Sequence, residues 1–154
     1  MSKYDKLKKL MEVSRYRPVI GAEKLLGIDL PDYQRDMLNR IWNNKRVVLL
    51  CSRRTGKTFV SAVALALKAI LYPKMKIGIV APVFRQAQTV FGEVESIYED
   101  SKFFKLQCED EPSHRTAGWY LNFKNQNLLK NCFAVNISGF VISTSKKSLS
   151  PVIK

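Results

Sequence analysis

Residues 46–71, RVVLLCSRRTGKTFVSAVALALKAIL, constrain the fold more than any other part of the chain. They open with a short β-branched apolar run, RVVLLC, of the kind that becomes a buried parallel strand. They close with Val60, Val63, Ala64, Leu67, Ile70 and Leu71, apolar residues at helical spacing. The connection is polar and holds Gly56 followed by Lys57 and Thr58. A strand, a tight turn and a helix in that order aim backbone N–H groups and the positive end of the helix dipole at one spot. Such a spot favours an anion, above all a phosphate.

The flanking segments extend the same pattern. After "YPK", the run "KIGIVAP" reads as a second buried strand. After Pro82, the residues Phe84, Ala87, Val90, Phe91, Val94, Ile97 and Tyr98 share one side of a helix. Strand, loop, helix, strand, helix predicts an α/β fold with a mainly parallel sheet and right-handed crossovers. Upstream, Pro31 followed by Asp32 starts a helix that carries Tyr33, Met37, Leu38, Ile41 and Trp42 on one face. Residues 1–30 form a basic, loosely amphipathic lead-in interrupted by Pro18. Beyond Lys102 the runs "WYLNF" and "FAVNISGFVIS" alternate in the manner of strands, with a hairpin at the sheet edge.

Charge narrows the choice of partner. The 154 residues carry a formal net charge of +13. From Asp36 to Glu93 there is no acidic residue, while Arg40, Lys45, Arg46, Arg53, Arg54, Lys57, Lys68, Lys74, Lys76 and Arg85 fall between them. A field of one sign attracts a triphosphate and a nucleic-acid backbone alike. The competing explanations are an anionic membrane surface, or a basic domain with no polyanionic partner. No apolar run reaches the roughly 18–20 residues of a membrane span, and the opening segment lacks an apolar signal core. The expectation is therefore no membrane partner and no secretion. Three cysteines without C-x-x-C spacing predict reduced thiols in a cytoplasmic setting, without a disulfide frame or a structural zinc. Cys51 reads as a small buried residue at the strand end. His114, the one histidine, reads as a loop residue.

The loop fits the phosphate-binding pattern G-x-x-x-x-G-K-[ST] at Gly56, Lys57 and Thr58, but Cys51 stands at the first glycine position. Lys57 would reach the β- and γ-phosphates and the Thr58 hydroxyl would hold Mg²⁺. The bland alternative is a basic surface loop capping a helix. Gln34 has its own warrant, because a primary amide pairs in bidentate fashion with adenine. Tyr33 has two roles open to it, stacking on the base or packing in the core, and the apolar face it shares favours packing. Arg85 and Gln86 are explained equally by contact with DNA or a neighbouring subunit and by a solvated helix start.

Three segments, "DYQRDML", "CSRRTGKTF" and "IGIVAPVFRQAQTVF", resemble in sequence and order the ATPase domain of the large terminase subunit of tailed bacteriophages. The likeness covers roughly residues 31–92. It implies a P-loop NTPase-type three-layer fold for residues 31–154, with the sheet flanked by helices. It also implies ATP and Mg²⁺ as cofactors, with Tyr33 and Gln34 on the base. Cys51, Ser52, Arg53, Arg54, Thr55, Gly56, Lys57 and Thr58 would form the phosphate loop, with Thr58 on the metal. The implied partners are double-stranded DNA, other terminase subunits and the portal or procapsid, in the host cytoplasm. The catalytic roles fall to Lys57, Thr58 and a loop arginine acting as an arginine finger in cis. By position that is Arg53, with Arg54 the second candidate. Such a guanidinium is worth about 10³–10⁵ in rate.

One element of that family is missing from the pattern. A motor ATPase needs an apolar strand ending in Asp-Glu to hold the metal and orient water. The acids of "QCEDEPSHR" have no apolar lead-in, those of "FGEVESIYED" read as a solvated helix face, and none occurs from Pro112 to Lys154. The expectation is an ATPase domain incomplete at its C-terminus, without a nuclease domain, that binds ATP and scarcely hydrolyses it. Three functions stay open: a segment of a DNA-packaging motor ATPase, a non-catalytic nucleotide- and DNA-binding module, and a helicase-like translocase piece.

Overall fold

The computed structural model describes residues 3–72, 76–115, 118–124, 134–136 and 143–145, and these are mostly helical. Helix α1 (Lys3–Tyr16) carries Asp5 in its first turn and Arg15 in its last, each sign matching the dipole at its end. Pro18 then opens α2 (Pro18–Gly21), where its missing N–H costs nothing. A π-helical turn (Ala22–Leu26) follows. Next come α3 (Asp32–Asn43), α4 (Lys57–Leu71), β1 (Lys76–Ala81), α5 (Phe84–Asp100) and α6 (Lys102–Gln107). The described chain continues with β2 (Ser113–Arg115), β3 (Gly118–Tyr120), β4 (Ala134–Asn136) and β5 (Ser143–Ser145).

The apolar run of α4 makes it the central helix. Every residue from Val60 to Leu67 is buried, so the helix is covered all round rather than on one stripe. It packs on α3 and α5, with α1, α2 and α6 closing the remaining sides. One continuous core runs from Ala22, Leu25 and Leu26 through Leu38 and Ile41 to Val94, Phe104 and Phe123. The basic lead-in thus shares its apolar side with the rest of the chain. Polar ties fix it further. The Arg35 guanidinium donates to the Leu30 carbonyl at 2.6 Å and to Asp29 at 2.8 Å, with Glu23 at 3.3 Å. The Trp42 indole donates to the Arg15 carbonyl at 2.8 Å, and Arg15 Nε donates to the Leu71 carbonyl at 3.1 Å.

β1 lies between two neighbours, parallel to β4 with Ile79 opposite Ala134, and antiparallel to β5 with Ile77 opposite Thr144. Ile77, Ile79 and Ala81 are buried in strict alternation. β2 and β3 pair antiparallel, with His114 opposite Trp119. No described helix is long and apolar enough to cross a membrane.

Four local expectations need correction. Residues 46–51 form no strand, and Val48 and Leu50 stand 84% and 92% exposed. An apolar run becomes a buried strand only when a neighbour supplies its hydrogen bonds, and no described residue pairs with it. The segment after Asp100 is helical first, because the Ser101 hydroxyl accepts from the Phe104 N–H and caps α6. His114 belongs to β2, not to a loop, and its Nε2 meets the Glu95 carboxylate. Glu95 is therefore engaged rather than simply solvated. Of the two alternating runs, the described strands keep Trp119 and Tyr120 of the first and 134–136 and Ser143 of the second, while Leu121 and Asn122 carry no strand. Much of "FAVNISGFVIS" lies outside the described residues.

Candidate nucleotide site

The loop ahead of α4 is held by its own backbone. Arg53 and Arg54 form a turn, and the Thr55 hydroxyl donates to the Ser52 carbonyl at 3.0 Å, closing it. Gly56 then adopts the left-handed conformation (φ 74°, ψ 18°) and serves as the N-cap residue of α4. Arg54 is left-handed as well (φ 65°) without being glycine. That conformation costs a side chain about 1–2 kcal/mol. Strain of this kind clusters where a loop has work to do.

The start of α4 is open to a ligand. No side chain caps its first turn, and the ladder begins only with the Val60 N–H on the Gly56 carbonyl at 2.9 Å. The earlier N–H groups, at Lys57, Thr58 and Phe59, belong to the turn that always lacks intrahelical acceptors. The Ser61 hydroxyl bonds back to the Lys57 carbonyl at 2.8 Å and so leaves those donors alone. Ser52, Arg53 and Arg54 are exposed, and Thr55, Lys57 and Thr58 are half-buried. Cys51 is half-buried too, not buried at a strand end.

Gln34 completes the arrangement. It is buried to 8% exposure at the start of α3, and its Nε2 donates to the Tyr33 hydroxyl at 3.2 Å. A Cβ built on Gly56 would lie only 2.4 Å from that Nε2. The amide therefore rests directly on the glycine of the loop, twenty-two positions further along the chain. Tyr33, expected to pack in the core, is instead 53% exposed. The first turn of α3 buries the neighbouring Gln34 in its place, because Gly56 leaves room for an amide there. The two residues read as base-contacting and the loop read as phosphate-binding thus stand side by side.

Beneath the loop lies a cleft of about 550 Å³ between α3, residues 44–49, α4 and α5. Lys57, Thr58 and Ser61 line it from the start of α4, and Lys68 lines it three turns further on. Gln86 and Thr89 face it from α5, whereas Arg85 is exposed and does not line it. Among the described residues, no carboxylate lines it. Lys68, Asn44 and Lys45 were not read as site residues. The available signal was Lys68 itself, the one charge within an otherwise apolar and small-residue run from Val60 to Leu71. Burial disfavours its charged form and lowers its pKa, and its ammonium lies 5.6 Å from the centre of the Trp42 ring.

The donor set suits an anion far better than a metal. Among the described residues, no three His, Cys, Asp or Glu side chains stand together. Thr58 contributes one hydroxyl, which fits Mg²⁺ only as an ion that keeps most of its shell as water and phosphate oxygen. No protein-family model matches the chain, and no curated protein matches it either.

Proposed function

We propose that residues 31–92 bind the triphosphate of ATP at the loop before α4, as part of an ATPase that drives double-stranded DNA into a viral procapsid. The observation that carries this reading is the contact of Gln34 with Gly56. It joins an adenine-type amide to a left-handed glycine at an uncapped helix start. Backbone N–H groups and the Lys57 ammonium supply what a phosphate needs, and the α4 dipole adds to them. Exposed Arg53 and Arg54 are free to turn toward the γ-phosphate, where a guanidinium stabilises charge spreading over the transferring group. Tyr33 presents its ring to solvent beside Gln34 and is available to stack on a base. When bound, Mg²⁺ would neutralise phosphate charge beside the Thr58 hydroxyl. The fold class proposed with this function is the three-layer P-loop type, and the location is the host cytoplasm and, transiently, the procapsid.

A second reading, a nucleotide- and DNA-binding unit without turnover, draws on the lack of any carboxylate in the cleft. Both readings require Mg-ATP binding. Isothermal titration of the chain with Mg-ATP tests it, with Lys57→Ala as comparator. Removing the ammonium deletes a charge-assisted contact worth about 1.5–3 kcal/mol, so affinity falls by roughly ten- to a hundredfold. Equal affinity in the variant would show that the loop is not the site.

A further inference from the structure

Three helices end at one place. The Trp42 indole, in the last turn of α3, donates to the carbonyl of Arg15 in the last turn of α1 at 2.8 Å. Its ring lies 6.0 Å from that of Tyr72, the residue that follows α4. The Arg15 guanidinium donates to the Leu71 carbonyl at 3.1 Å and lies 5.8 Å from the centre of the Tyr72 ring. Asn44 Nδ2 donates to the Arg40 carbonyl at 2.9 Å, and the Tyr72 N–H to the Lys68 carbonyl at 3.0 Å. Several terminal carbonyls of α3 and α4 are thus occupied from within the protein, which blunts the negative ends of those dipoles.

Cations remain in excess there. The helix dipoles account for Arg15 and Lys68, which sit in the last turns of α1 and α4. Arg17, Lys45 and Arg46 lie just beyond the ends of α1 and α3, and all three are exposed. No described carboxylate pairs with them, and the residues outside the described set contain no Asp or Glu to do so. Of the acids on α1 and α3, Asp36 is held by Arg40 at 2.7 Å, and Glu12 stands one turn before Arg15. Lys45 and Arg46 follow α3 directly, so their place does not depend on what the apolar run after them pairs with.

We propose that Arg17, Lys45 and Arg46, at this end of α4, form the surface that grips the phosphate backbone of duplex DNA. The proposal rests on the DNA-binding part of the function proposed above and adds where the DNA lies. The phosphate loop stands at the other end of α4, about 21 Å away along a fifteen-residue helix. DNA and ATP therefore meet opposite ends of one helix and bind without displacing each other. Cations on separate elements suit a row of phosphates, each a charge-assisted contact that carries no sequence information. An anionic membrane calls for apolar side chains that enter it. Here the Trp42 ring is half-buried and tied back through its N–H.

The test is fluorescence anisotropy of a fluorescein-labelled duplex of about 20 base pairs with the full chain, over roughly 50–200 mM salt. Three phosphate contacts contribute about 2.7 to the slope of log affinity against log salt. The triple variant Arg17→Gln, Lys45→Gln, Arg46→Gln is expected to lose that part. Across the range, the parent's affinity then falls about 40 times further than the variant's. Each single substitution is expected to lower the slope by about 1. A control, Lys24→Gln, Lys102→Gln, Lys105→Gln, removes the same charge from exposed positions on the π-helical turn and α6 and is expected to keep the parent slope. Mg-ATP affinity of the first triple variant is expected to stay within about twofold, whereas Lys57→Ala loses Mg-ATP and keeps the slope. Failure of the nucleotide site and failure of the DNA surface are thereby read apart. Absence of duplex binding by the parent overturns the proposal. So does an unchanged slope in the first triple variant, an equal loss of slope in the control, or displacement of the duplex by saturating Mg-ATP. Binding to phosphatidylserine vesicles that the first triple variant loses, while its duplex slope stays at the parent value, would make the face a membrane surface instead.

Discussion

Gly56→Ala probes the joint between α3 and the loop, and its cost has two separable parts. The first is conformational: the residue sits at φ 74°, and an L side chain held there costs about 1–2 kcal/mol. The second is steric. The new Cβ would lie 2.4 Å from Gln34 Nε2, so the amide has to leave its position and its bond to the Tyr33 hydroxyl. That bond is worth about 0.5–1.5 kcal/mol. Together they give a loss of roughly 1.5–3.5 kcal/mol, or about 3–14 °C in Tm for a chain of this size. Urea and thermal unfolding followed by circular dichroism read both quantities.

A double-mutant cycle separates the two parts. In a Gln34→Ala background only the conformational part remains, so Gly56→Ala costs about 0.5–1.5 kcal/mol less there. Gly92→Ala is the control: it lies within α5 with nothing within 4 Å of the added Cβ, and a gain of about 0.5–1 kcal/mol is expected. An unchanged Tm in Gly56→Ala, or zero coupling to Gln34→Ala, would refute the contact between amide and loop. The proposed function would lose its main support with it.

Three further outcomes are expected. Burial pushes the Cys108 thiol up to about 12 from an ordinary value of 9.0, so between those values the folded state holds a proton that the unfolded chain has lost. Stability therefore falls as pH rises from 9 toward 12, by about 2 kcal/mol at roughly pH 10.5, and Cys108→Ala removes that part of the slope in urea titrations. Duplex DNA is expected to bind without sequence preference and with affinity falling steeply with salt, as counterion release requires; salt-insensitive binding in a filter assay would contradict it. ATP turnover by the 154-residue chain is expected to stay near background in a phosphate-release assay, since no carboxylate lines the cleft to orient water. Robust turnover abolished by Lys57→Ala would assign that work to Glu109, Asp110 or Glu111.

Local chemistry decided what could be read from the sequence. α4, α5 and β1 were legible because their apolar residues repeat at the period of the element, and burial follows that repeat. The loop was legible because glycine before Lys57 answers a backbone demand that the sequence states directly. α6 spans one and a half turns, too short for a period, and only the Ser101 cap could have announced it. Residues 46–51 failed differently. Their pattern is correct for a strand, but a strand is defined by a neighbour, and no local signal says whether one is there.

Tyr33 and Lys68 show how the same ambiguity acts on single side chains. The helical period put Tyr33 with Leu38 and Ile41, yet it belongs to the first turn, where the apolar face meets the loop rather than the core. There a buried glutamine is tolerated because its amide has a hydroxyl partner and a glycine to rest on. Lys68 runs the other way: a charge inside an apolar run marks a face that the fold does not seal. Its ammonium lies over the Trp42 ring, and the residue lines the cleft. Desolvation without an acid costs stability wherever it occurs, and among the described residues no carboxylate offsets it at Lys68.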